Sequence, residues 1–385
     1  MIIGELCAER ERGQQMKIER ITLRQVQAPL KAPFETSFGR MATKDCVVVS
    51  VQSGDRIGYG ESVAFSAPWY NEETTDTVWY VLERYLVPVL LGREVEHPDD
   101  VSALFAAVRR HHMAIAAIET AVWDLYAKRN GIPLAHALGG DKQEIDVGVS
   151  IGIEPTIDDV VRNVERFLEQ GYKRIKVKIK PGFDIGLVEA IRNRFGEGVP
   201  LMADANSAYT LRDMPILKEL DNYRLMMIEQ PLAHDDIFEH AALQRELRTP
   251  VCLDESIHTL TDARHAIELG SCRIMNIKLG RVGGLTNAKK IHDLCKERGI
   301  PVWCGGMLEF GIGRLHNIAI ASLSNFSIPG DISASDRYWE QDVVEPGIVL
   351  VRPGVLAVPG AAGIGYEVME DRLNERTVRQ TTRNV

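Results

Sequence analysis

Lys178, Asp204, Glu229, Asp254 and Lys278 follow one another at gaps of 26, 25, 25 and 24 residues. That interval is the length of one strand plus one helix. If each residue ends a strand of a parallel (β/α) barrel, all five meet at one mouth, with three carboxylates in the middle and a lysine on each flank. Gathered carboxylates repel one another unless a divalent cation lies among them, and oxygen-only donors suit a hard ion such as Mg²⁺ or Mn²⁺. Each residue has an ordinary alternative: Asp204 as a helix N-cap, Glu229 before Gln230-Pro231 as a turn residue, Asp254 as a second cap. Those readings leave the common interval unexplained.

The elements that would position the five are legible around them. Residues 174–179, 201–204, 226–229, 251–254 and 274–278 are short apolar runs of the kind that form buried parallel strands. Helical patterns lie between them at 157–170, 184–194 and 286–298, and Gly171, Gly270 and Gly299 follow such stretches as stops. The interval extends outward to Ser150, 28 residues before Lys178, and to Gly305-Gly306, 27 residues after Lys278. A last strand through 326–328, running into Pro329-Gly330-Asp331, makes eight strand ends. The run 173–180 alternates lysine or arginine with apolar residues, as a solvated strand face does. In a barrel sheathed by helices, that lysine face must instead point inward.

The barrel takes residues 145–340, about half of a 385-residue chain whose 45% hydrophobic content can bury a large core. Residues 17–144 read as an α+β domain capping it. Its strands are expected at 18–26 and 46–52, with a turn at 53–55, a return strand ending near Glu61, and helices at 72–91, 99–110 and 114–129. The Gly- and Pro-rich segment 341–385 is expected to return to this domain. Residues 1–16 read as a charged extension without fixed structure. A net charge of −9 argues against nucleic acid, and six cysteines with no C-x-x-C pair suit a reducing cytoplasm. No apolar stretch is long enough to span a membrane. These features suit a cytoplasmic protein; a small carboxylate as partner and a homo-oligomeric state are further expectations that composition does not show.

Five motifs, Lys176-Val177-Lys178, Asp204-Ala205-Asn206, Ile228-Glu229-Gln230-Pro231, Asp254-Glu255-Ser256 and Asn276-Ile277-Lys278, resemble those of the enolase superfamily, muconate-lactonizing subgroup. Residues 303–309, 311–314, 329–331 and 335–339 look like its o-succinylbenzoate synthase and N-acylamino acid racemase branch. The resemblance covers nearly all of 17–370. It implies a modified TIM barrel, (β/α)7β, with Asp204, Glu229 and Asp254 as Mg²⁺ ligands and Lys178 and Lys278 as the acid/base pair. It also implies dehydration to o-succinylbenzoate in menaquinone synthesis, racemisation of N-acylamino acids, or both. Muconate cycloisomerase and dipeptide epimerase are the neighbouring activities, and a non-catalytic carboxylate-binding barrel is the alternative outside enzymes.

The chemistry agrees with those residue types. A proton α to a carboxylate is weakly acidic, and its removal requires positive charge where the enediolate's second negative charge develops. An ordinary lysine is protonated at neutral pH, so Lys178 must be lowered toward about 7 to 8, with Lys176 and the metal as the expected causes. Lys176, on the same strand face, is expected to tune rather than to act as a base. Asn206 and Glu255 are expected to orient ligands, and Arg281 to tune Lys278. For substrate, the expected contacts are Ser150, the backbone amides of Gly306 and Met307, and a mobile lid at 34–41 carrying Phe34, Phe38 and Met41. Residues 62–70, with Phe65, Trp69 and Tyr70, are a second wall.

Overall fold

A computed structural model describes residues 16–37 and 39–385. The first domain is built on three long antiparallel strands, β1 (Arg20–Thr36), β2 (Gly39–Ser53) and β3 (Arg56–Glu61). The sheet is covered on both faces: Cys46 and Val48 pack into one core, and Val47, Val49 and Val51 into the other. The helix His112–Arg129, α1, lies on this sheet, and almost all of it is buried because the barrel covers its other side. Gly58 and Gly60 permit that approach: a Cβ on Gly60 would stand 2.0 Å from Ala117 O.

Two expectations about this domain change. Residues 34–41 were expected to be a loop, yet β1 and β2 run through them as a hairpin tip with Phe34 opposite Met41 and Thr36 opposite Gly39. Pro29 and Pro33 lack an N–H and dislocate the register between Pro29 and Phe34 without ending the strands. Residue 16, assigned to the charged extension, is ordered: Met16 pairs with Val95 and is buried in the domain's core. Residues 1–15 lie outside the described residues.

Seven parallel strands follow, each hydrogen-bonded to the next in chain order: β4 (Val149–Ile151), β5 (Ile175–Lys178), β6 (Leu201–Asp204), β7 (Ile228–Glu229), β8 (Val251–Leu253), β9 (Ile274–Ile277) and β10 (Val302–Cys304). The eighth position is not a regular strand. Pro329 cannot donate to a ladder, so residues 325–331 close the ring through single bonds. Val302 N donates to Asn325 O at 3.3 Å, Asp331 N to Cys304 O at 2.9 Å, and Gly148 N to Gly330 O at 2.8 Å. This is the TIM-type barrel that the interval implied, with the α+β domain expected to cap it. Gly171, Gly270 and Gly299 follow their helices with φ of 75, 70 and 67°.

Three barrel helices matter for the site: α2 (Leu279–Val282), α3 (Leu285–Glu297) and α4 (Gly311–Ala321). The last strand, β11 (Thr377–Asn384), lies beside β1 in the first domain, with Asn384 opposite Arg20. No helix among the described residues is long and apolar enough to cross a membrane.

Candidate active site

Strand register sets the mouth of the barrel. Lys178 lies opposite Asp204, Asp204 opposite Glu229, and Asp254 and Lys278 directly follow β8 and β9. The chain turns sharply just past these ends, where Asn206, Ser207, Gln230 and Leu308 all have positive φ. All five residues are buried: the carboxylates are at most 1% exposed, Lys178 6% and Lys278 5%. Below them Met202, Met227, Cys252, Ile274 and Trp303 plug the barrel.

Buried charges need partners, and each carboxylate here has a cation. Lys178 Nζ donates to Asp204 Oδ2 at 2.6 Å and to Asn206 Oδ1 at 2.7 Å. The Lys176 ammonium stands 3.2 Å from Asp204 Oδ2, 3.1 Å from Glu229 Oε2 and 2.6 Å from Asp331 Oδ2. Lys278 Nζ faces Asp254 Oδ2 at 2.8 Å. The Arg281 guanidinium bonds Asp254 Oδ1 and donates to Ile257 O at 2.6 Å and Asn276 O at 2.5 Å.

These surroundings push the lysines apart. Lys178 is lowered, first by burial and then by Lys176, against the pull of Asp204. Burial is the larger cause, where the Lys176 charge and a metal were expected to be. Burial would lower Lys278 too, but Tyr70, Glu255, Glu229 and Asp204 outweigh it and hold it raised. Lys176 is likewise raised, because Asp331, Glu229 and Asp204 overcome its burial. Arg281 meets Asp254 directly and donates to the Tyr70 hydroxyl at 3.3 Å, so it reaches Lys278 through these two shared partners and its tuning is indirect.

The donor set fits a hard divalent ion. Three carboxylates end adjacent strands, Glu255 Oε2 is buried without a hydrogen-bond donor, and Asp254 Oδ2 meets the Lys278 ammonium only as an ion pair, without hydrogen-bond geometry. Asn206 donates to Glu255 Oε1 at 3.0 Å, and Asn276 to Glu229 Oε1 at 2.8 Å, which would orient these carboxylates. Among the described residues no three His, Cys, Asp or Glu side chains stand close enough to enclose an ion as they are. The Lys176 ammonium lies between two of the three.

A cleft opens above this layer. Lys176, Lys178, Lys278 and Asn206 form its floor, and Ser150, Gly306, Met307, Phe34 and Met41 line its sides. Ser150 Oγ is buried with no hydrogen-bond partner, as a substrate contact requires. The amide expectation fails at Met307, whose N–H is committed to Glu309 Oε1 at 2.8 Å. Gly306 is needed for packing, since a Cβ there would stand 2.4 Å from Asp331 O. Phe38 lies outside the described residues.

Several site residues escaped the sequence reading. Asp331 ends the irregular eighth segment and pairs with Lys176 and, at 2.5 Å, with Arg174. As a carboxylate at a strand end it carried the same signal as the other three. Asn276 lies two residues before Lys278, on the strand face that alternation assigns to the interior. Tyr70 comes from the capping domain and donates to Asp254 Oδ1 at 2.9 Å, and the Lys278 ammonium sits 4.5 Å from its ring centroid. It had been assigned only to a wall.

Comparison with known proteins adds to this geometry. Residues 18–139 match the family described as mandelate racemase / muconate lactonizing enzyme, N-terminal domain, and residues 159–372 that described as enolase C-terminal domain-like. An o-succinylbenzoate synthase of Geobacillus kaustophilus is 59% identical over 354 residues, 92% of this chain and 94% of the relative. An N-succinylamino acid racemase of Thermus thermophilus is 47% identical over 353 residues, 92% and 95% of the two chains. A solved enolase-superfamily member from Listeria innocua superposes with a TM-score of 0.92 at 43% identity, covering 96% of this chain and 99% of that one.

Proposed function

The chain belongs to the mandelate racemase / muconate lactonizing enzyme family, and from that premise we propose that the mouth of its barrel takes the proton from a carbon α to a carboxylate. It is an o-succinylbenzoate synthase and N-acylamino acid racemase, whose substrates include N-succinylamino acids. The observation that carries this reading is a pair of buried lysines, Lys178 and Lys278, lining one cleft on either side of three carboxylate-bearing strand ends.

Members of this family use a divalent metal, and we assign Mg²⁺ to this chain, held by Asp204, Glu229 and Asp254. Bound there, the ion supplies positive charge to the substrate carboxylate as the enediolate's second negative charge develops. The remaining work is done by side chains. The lowered Lys178 is suited to accept the α-proton, and the raised Lys278 to present an ammonium on the other flank. In syn-dehydration proton and hydroxyl leave from one face, so one lysine serves as base and then acid while the other is a fixed cation. In racemisation the proton leaves one face and returns to the other, and both lysines must transfer it. Lys176, held as an ammonium among Asp331, Glu229 and Asp204, tunes rather than reacts. Ser150 contacts the acyl end, and the hairpin tip with Phe34 and Met41 excludes water. Dehydration to o-succinylbenzoate places the enzyme in menaquinone synthesis.

The test is direct. With Mg²⁺, the purified enzyme should convert the cyclohexadiene precursor to o-succinylbenzoate and racemise N-succinylamino acids. Failure at both removes the assignment, and full activity after exhaustive chelation removes the metal.

A further inference from the structure

The segment that follows Lys278 is gripped from outside the barrel by one helix of the capping domain. His112, at the start of α1, has Nδ1 2.9 Å from Arg281 O; the carbonyl only accepts, so the imidazole donates. Two turns further along α1, Glu119 accepts from Leu285 N at 2.8 Å and Thr286 N at 2.9 Å, the first amides of α3. Two glycines make room for this. A Cβ on Gly284 would stand 2.1 Å from Glu119 Oε2, and one on Gly280 2.2 Å from Val63 Cγ2. Arg281 is thereby fixed at its backbone by His112 and at its guanidinium by Asp254, the carboxylate facing Lys278. The segment after Lys178 is held by the barrel itself, with Ile179 N donating to Asp204 O at 2.9 Å and Lys180 and Phe183 paired through their backbones.

We propose that His112 and Glu119 are positioning residues for Lys278 alone: by fixing residues 279–286 they set the reach of that ammonium and govern proton transfer on its face of the substrate, leaving the Lys178 face untouched. The inference rests on the two-lysine reading above. On the Lys278 face the ammonium first gives a proton to solvent, and the resulting amine takes the α-proton while the C–H electron pair moves into the carboxylate. A solvent deuteron replaces the proton on nitrogen, and its return to carbon restores the bond.

The experiment follows α-proton exchange of both enantiomers of an N-succinylamino acid by NMR in D₂O with Mg²⁺. Lys178→Ala identifies the enantiomer served by Lys278. For that enantiomer, His112→Ala and Glu119→Ala should slow exchange about tenfold to a hundredfold, with the other enantiomer within about twofold of wild type. Glu119→Gln keeps an acceptor oxygen and should recover most of the loss. His112 is half-buried at a helix start, so its variant should fold even if Glu119→Ala does not, and thermal melts check both. Equal slowing of the two enantiomers, or slowing of neither, overturns the proposal. Wild-type protein that exchanges neither enantiomer overturns the two-lysine reading and this inference with it.

Discussion

On the flank of Lys178 the ammonium's partners are barrel groups, Asp204 and Asn206, placed by the register of β5 against β6. The capping domain reaches this side through the hairpin tip, where Ser37 Oγ donates to Asn206 O at 3.3 Å. On the flank of Lys278 the capping domain is part of the charge environment. Tyr70 lies beside the ammonium and bonds Asp254, and α1 holds the segment that follows. The two lysines are chemically the same residue, and the difference in what surrounds them moves one down and the other up. Strand pairing places the partners of the Lys178 ammonium, whereas those of Lys278 include a side chain that the capping domain brings.

The largest effect should come from the centre, which both flanks share. Glu229→Gln should lower both dehydration and exchange by on the order of a thousandfold or more while leaving a folded protein, and calorimetry should show weakened Mg²⁺ binding. Loss on one enantiomer only would mean that Glu229 belongs to one flank. Next, Tyr70→Phe keeps the ring beside Lys278 but removes the hydroxyl bond to Asp254. We expect about a tenfold loss in kcat with KM little changed, concentrated on the Lys278 face.

Docking also has a pH signature. Burial raises Glu119 from the ordinary 4.5 to about 7, against the amides and the Trp123 indole that bond it. The folded state therefore holds this proton more tightly than the unfolded chain. Its contribution to stability should fall as pH rises from about 4.5 to about 7 and level off above, by up to about 3 kcal/mol. Urea melts of wild type and Glu119→Gln should diverge across that window, and parallel curves would show that Glu119 does not titrate there. The smallest effect belongs to the hairpin tip. Met41→Ala, half-buried on the cleft wall, should raise KM a few-fold with about 1 kcal/mol or less of lost stability. A large fall in Tm with normal kinetics would make it a core residue.

The contrast between flanks also explains what could be read from the chain. Lys178, Asp204, Glu229, Asp254 and Lys278 were legible because one strand-plus-helix period fixes where each side chain emerges, and the barrel follows from the same period. The eighth position was located but not its irregularity, which Pro329 imposes on the hydrogen bonding. The hairpin tip was mistaken for a loop because its aromatics, glycine and methionine lie between two expected strands, whereas the strand pairing resumes beyond Pro29 and Pro33. Glu119, His112 and Tyr70 left no periodic trace. A glutamate inside an apolar helix identifies itself only when the amides of Leu285 and Thr286 arrive from another domain.

The central claim is that Lys178 and Lys278 work on opposite faces of one α-carbon, and α-proton exchange in D₂O by wild type, Lys178→Ala and Lys278→Ala tests it most directly. Wild type should exchange and interconvert both enantiomers of an N-succinylamino acid. Each variant should lose interconversion and keep exchange of a single enantiomer, opposite in the two. Interconversion surviving in either variant, or the same enantiomer exchanging in both, would contradict the account.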